Sequence, residues 1–140
     1  MSTRLSLRVE NNIEELGRIS AAVDELAESE DWPPALTFRV NLVLEEFGIN
    51  VINYAHEEGG VHDFEITLLS EPETLIIEIT DDGVPFNPLE DQPTPDTSAP
   101  MDERPIGGLG LHLVRTMTEE MRYERQNSRN HSTLVMRKAE

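Results

Sequence analysis

Between Val84 and Pro105 the chain carries six prolines (Pro85, Pro88, Pro93, Pro95, Pro100 and Pro105) and five acids. Proline has no amide to donate and restrains the residue before it, so neither helix nor strand tolerates this composition. Whatever core the protein has must be assembled from the residues on either side, across a long loop. Loops of this length inside a compact domain are usually lids or insertions that carry function, and the stretch 84–106 is therefore read as a lid.

The flanking residues have clear periodicities. Leu5, Leu7 and Val9 alternate with polar residues and predict a short half-buried strand. Ile13, Leu16, Ile19, Ala22, Val23 and Leu26 recur at helical spacing, with Asn12 and Glu15 as a capping pair and an end near Glu30. After Trp32-Pro33-Pro34 a longer apolar helix is predicted over about 34–54. Segments 64–69 and 74–80 predict a hairpin, 107–121 a helix, and 121–126 with 132–137 a second hairpin around Asn127-Ser128-Arg129-Asn130. The order β-α-α-β-β-lid-α-β-β predicts one α+β domain over residues 1–140, a two-layer sandwich with helices gathered on one face of a mixed or antiparallel sheet. A chain of 140 residues is long enough to bury such a core without staples.

Composition narrows the function. The 28 acids against 11 basic residues give a formal charge of −17, which opposes direct binding to nucleic acid and favours a basic protein partner. With no cysteine, disulfides and thiolate chemistry are excluded, and a reducing cytoplasm suits the chain. The first residues lack the apolar core of a signal peptide, and no apolar run approaches a membrane span. His56, His62, His112 and His131 show no metal-ligand spacing.

Four clusters can carry chemistry. On the second helix Glu46, Asn50 and Asn53 make a polar line through Leu42, Val43, Phe47, Ile49 and Ile52. It is either a solvated face or a site in which the Asn50 oxygen ligates a hard cation and Glu46 polarises a hydroxyl. Asp81-Asp82-Gly83 follows a strand; it is either a tight turn or a place where a carboxylate accepts from an exocyclic amine and glycine admits a base ring. Gly107, Gly108 and Gly110 stand at a helix start, suited to a hinge and to amides that cradle an anion, with Leu111 following. Arg104, the only Lys or Arg between Asp81 and Arg115, can assist or lie at the surface. Thr133 falls in the last strand, where threonine commonly just fits the pleated surface.

In this order, Glu46-x-x-x-Asn50, Asp81-x-Gly83, a lid and Gly108-x-Gly110-Leu111 resemble the N, G1 and G2 boxes of the GHKL (Bergerat-fold) ATPases over nearly the whole chain. Within that superfamily, length and motif wording are most similar to the bacterial anti-sigma factor serine/threonine kinases. The resemblance implies ATP and Mg²⁺ as cofactors. It implies Asn50 as metal ligand, Glu46 as catalytic base, Asp81 at the adenine amine and Gly83 beside the base. Gly108 and Gly110 would serve the phosphates, and Thr133 would assist Asp81. It further implies a sigma factor and a STAS-type anti-anti-sigma protein as partners, with the latter phosphorylated on serine, and homodimerisation as a family habit. Tyr54 stands where the family often has histidine, Pro85 where many members have glycine, and the lid is acidic; these change the pocket wall and nucleotide exchange. The alternative is an ATP-loaded partner-binding module with weak or no turnover. A histidine-kinase catalytic fragment is the less expected reading, since no phospho-acceptor helix precedes the motifs.

Overall fold

The structure, a computed structural model, describes residues 3–54, 62–85 and 108–139. Five strands form one antiparallel sheet in the order β1-β2-β3-β5-β4, where β1 is Thr3–Glu10, β2 Asp63–Ser70, β3 Thr74–Asp81, β4 Glu120–Gln126 and β5 Arg129–Arg137. The helices are α1 (Leu16–Glu30), α2 (Pro34–Tyr54) and α3 (Gly108–Met117), with a single 3₁₀ turn at Ile13–Glu15 before α1. Among the described residues, none of the helices is long and apolar enough to cross a membrane.

Strand parity decides which residues enter the core. Phe64, Ile66 and Leu68 on β2, Leu75, Ile77 and Ile79 on β3, and Leu134 and Met136 on β5 all point to the helix-covered face and are buried. From the helices, Ile19, Val23 and Leu26 on α1 and Leu36, Val40, Val43, Leu44, Phe47 and Val51 on α2 meet them in one cluster. The opposite face bears Arg8, Glu65, Glu78, Thr133 and Arg122, as expected of an antiparallel sheet that buries one side.

Element ends follow local chemistry. The Asn12 side chain accepts from the Glu14 amide at 3.0 Å, while Glu15 reaches back to the Glu10 amide at 3.3 Å rather than to Asn12, so the expected capping pair is split over the 3₁₀ turn. Asp31 closes α1 in the left-handed region (φ 55°), and its amide bonds the Ala27 and Glu28 carbonyls. Two ends differ from expectation. Helix α3 stops at Met117, and Glu120–Gln126 already pairs with β5. The second hairpin turns on two residues only, Asn127 and Ser128, both with positive φ (55° and 62°), so Arg129 and Asn130 belong to the strand. A two-residue turn of this hand matches the twist of its strands.

At the end of the sheet where β2 and β5 finish, Glu30 ties three elements together. Its carboxylate accepts from the Trp32 indole at 3.0 Å, from the Ser70 hydroxyl, and from Lys138 at 3.5 Å; Lys138 also donates to Ser70 at 2.7 Å. Burial works to raise the Glu30 pKa, but hydrogen bonds from Ser70, Thr3 and Trp32 and the Lys138 charge outweigh it and hold the carboxyl down at about 2. The folded carboxylate thus keeps its charge where the unfolded chain, titrating near 4.5, would take up a proton. This contribution to stability is complete above the unfolded value and fades as pH falls from there toward 2. Glu30→Gln is expected to cost roughly 1–3 kcal/mol at neutral pH. Urea midpoints across that acid window should fall less steeply for the variant than for the parent; parallel curves would exclude the coupling.

Candidate functional site

Helix α2 begins beside the end of β5, where Arg39 donates to the Arg137 and Lys138 carbonyls at 3.3 Å. It then crosses the sheet face. Asn50 is eleven residues farther on, about 16 Å along the axis, and Asp81 ends β3, which starts opposite Arg137. Asn50 and Asp81 therefore stand at the same end of the molecule, both at the interface between helices and sheet.

Asn50 continues the apolar stripe of Leu36, Val40, Val43 and Phe47 at helical spacing, and is only 2% exposed. This excludes the solvated-face reading for that residue. Its Oδ1 is buried and has no hydrogen-bond partner among the described residues. Leaving such an oxygen unpaired costs about 1–3 kcal/mol, and a hard cation is a group that would satisfy it. One turn earlier Glu46 is half-buried; burial pushes its carboxyl pKa up, and the charge of neighbouring Glu45 adds to the rise. A carboxylate so placed is closer to the range in which general bases work. Among the described residues no three His, Asp or Glu side chains cluster as a ready-made metal cage. Mg²⁺ in nucleotide sites commonly takes one or two protein oxygens and completes its shell with phosphates and water, so the Asn50 oxygen fits that ion.

Asp81 is 7% exposed and faces the helices from the central strand of the sheet. Its Oδ1 accepts from the Gly83 amide at 2.9 Å and from Asn130 Nδ2 at 2.9 Å. The tight-turn reading of Asp81-Asp82-Gly83 holds, and a turn built on one carboxylate oxygen leaves the second for another donor. Gly83 is itself buried, and its carbonyl accepts from Arg125 at 2.7 Å.

Gly108 and Gly110 lie in the first turn of α3, which packs on α2. Arg104, Gly107 and the expected lid beyond Pro85 lie outside the described residues, as do the side chains of Asn53, Tyr54 and Leu111.

Thr133 is not brought to this end with Asp81's face. Asp81 pairs with Asn130, so the residues of β5 that share its face are Asn130, Ser132, Leu134 and Met136. Thr133 sits between Glu78 and Arg122 on the helix-free face. Ser132, 5% exposed and one step along from Asn130, is the hydroxyl-bearing residue of β5 that lies on Asp81's face. The signal was present in the alternation of Leu134 and Met136 with Val135 and Arg137, which marks even positions as inward. Asn130 was missed as well, because Asn-rich sequence after a strand reads as turn.

Comparison with known proteins agrees with this layout. The chain is 26% identical over 117 residues to the serine/threonine-protein kinase BtrW of Bordetella bronchiseptica, which covers 84% of this chain and 82% of that protein. Its fold is similar to the RsbU and RsbW domains of a Mycobacterium tuberculosis protein (TM-score 0.62, 13% identity, 96% of this chain and 32% of that one). It is also similar to the Acinetobacter baumannii histidine kinase AdeS (TM-score 0.53, 16% identity, 96% and 68%). The chain thus spans about a third of the mycobacterial protein. Residues 9–138 match the family described as the histidine kinase-like ATPase domain, and with nearly its whole length inside that match the chain belongs to this family.

Proposed function

We propose that the protein is an ATP-dependent anti-sigma factor kinase, which binds a sigma factor and transfers the ATP γ-phosphoryl group to a serine of a STAS-type anti-anti-sigma protein. The observation that carries the reading is a buried amide oxygen on Asn50 with no hydrogen-bond partner among the described residues, one helical turn from a carboxylate whose pKa is raised. The kinship with BtrW, a serine/threonine-protein kinase, supports the choice of hydroxyl over histidine as acceptor.

In this reading Asn50 holds Mg²⁺, which when bound offsets the phosphate charge that a chain at −17 would otherwise repel. Glu46 orients the attacking serine hydroxyl and receives its proton. Asp81 accepts from the adenine amine, and Gly83 lies against the base. The amides of Gly108 and Gly110, at the positive end of α3, serve the phosphates, and Arg104 and Leu111 are further nucleotide-binding residues of this reading. Ser132 takes the assisting place at Asp81. The exposed acids Asp24, Glu25 and Glu28 on α1 suit a basic partner surface. Homodimerisation and a cytoplasmic setting belong to the same proposal.

The test is transfer of labelled γ-phosphate from Mg·ATP to a purified anti-anti-sigma protein encoded near this chain. An acid-stable, alkali-labile phosphoserine supports the kinase. Tight ATP and sigma-factor binding with no transfer would instead support the partner-binding module with weak turnover, and an acid-labile product would point to histidine.

A further inference from the structure

The Asn130 side chain is satisfied at every hydrogen-bonding valence. Its Oδ1 accepts from the Tyr123 hydroxyl and from Arg125 Nη1 at 3.2 Å, and its Nδ2 donates to Asp81 Oδ1 at 2.9 Å and to the Val84 carbonyl at 2.8 Å. A carboxamide has two acceptor positions and two N–H groups, so this set leaves it one orientation. Two donors on its oxygen prevent the amide from flipping, and the N–H groups therefore stay on Asp81 and on the backbone after Gly83. Arg125 bonds the Gly83 carbonyl as well, so the β4–β5 hairpin grips the Asp81–Val84 turn at three points. Register brings this about: Tyr123 pairs with Ser132, Arg125 with Asn130 and Asn130 with Asp81, all on the helix-covered face.

We infer that Asn130, locked by Tyr123 and Arg125, is a positioning residue that sets the base specificity of the nucleotide site. It does so by occupying one oxygen of Asp81 and aiming the other at a 6-amino purine. The inference rests on the nucleotide-site reading above. With Oδ1 held by Asn130 and the Gly83 amide, Asp81 cannot turn about its side-chain bond without breaking both contacts. Oδ2 then meets a donor in adenine and an acceptor, the 6-oxo oxygen, in guanine. A site built to satisfy one pattern rejects the other because a buried polar group is left unpaired. A carboxylate free to rotate would discriminate less.

Asn130→Asp keeps the shape and the contacts to Tyr123 and Arg125 but sets a carboxylate against Asp81. Calorimetric titration of the variant with ATP and with GTP is expected to show the ATP preference reduced about tenfold, the equivalent of some 1.4 kcal/mol. ATP should account for most of the loss. A preference within about twofold of the parent, in protein whose circular dichroism and melting are intact, overturns the assignment. Should Asn130→Asp not fold, Tyr123→Phe removes only one hydroxyl and is expected to lower the preference about threefold, a hydrogen bond's worth; an unchanged ratio there also overturns it. Asp81→Asn separates the two levels. If that variant loses adenine preference while the Asn130 and Tyr123 variants retain it, the positioning role fails and the site reading stands. If the parent binds no adenine nucleotide, both fail.

Discussion

Glu46→Gln is expected to slow phosphoryl transfer by about 10²–10⁴-fold, the usual worth of a positioned general base, while ATP affinity changes by no more than about twofold. The amide keeps the size and the hydrogen-bonding reach of the carboxylate but cannot receive a proton. Single-turnover transfer and calorimetry on the same preparation check the split, and an equal loss in both would argue against a base. The raised pKa adds a sign. A base works only when ionised, so transfer should increase with pH through a midpoint above the ordinary glutamate value, because burial and Glu45 hold the Glu46 proton on longer. Removing the neighbouring charge with Glu45→Gln should move that midpoint down. A midpoint that stays put would mean that another group controls the rate.

Asn50→Ala should reduce ATP affinity in the presence of Mg²⁺ to the value seen without it, and the metal titration should become flat. Since metal and phosphate bind as one unit, about a hundredfold loss is expected, in keeping with a charge-assisted contact of roughly 3 kcal/mol. The ligand-free protein should tell the opposite story. Its Asn50 oxygen is buried with no partner among the described residues, so removing it takes away a desolvation penalty, and thermal stability without nucleotide should not drop as a simple cavity would require. A stabilising effect at the cost of function is the mark of a residue retained for its ligand. An unchanged Mg²⁺ titration, or a large loss of stability, would assign Asn50 to the core.

Much of the architecture could be read from the chain. The helix α2 over Pro34–Tyr54 and the hairpin of β2 and β3 emerge where their apolar spacing predicts them, because strong periodicity and proline boundaries are local properties. Boundaries near polar residues were harder. The end of α3 at Met117 and the start of β5 at Arg129 depend on pairing with β4, which local sequence does not carry.

The candidate site divides in the same way. Residue types and their order pointed to Glu46, Asn50, Asp81 and the glycines, since carboxylate, amide oxygen and open backbone each have few other uses at such spacing. By itself the sequence determined the period of each element, the break at the prolines and the family to which the motifs belong. Only the tertiary structure decided that Asn50 is buried with an oxygen unpaired among the described residues, and that Asn130 and Ser132 share a face with Asp81. It alone placed Tyr123, Arg125 and Asn130 behind that carboxylate. Alternation along β5 marks its even positions as inward, but which of them lies opposite Asp81 follows from cross-strand register, and a shift of one residue exchanges the faces.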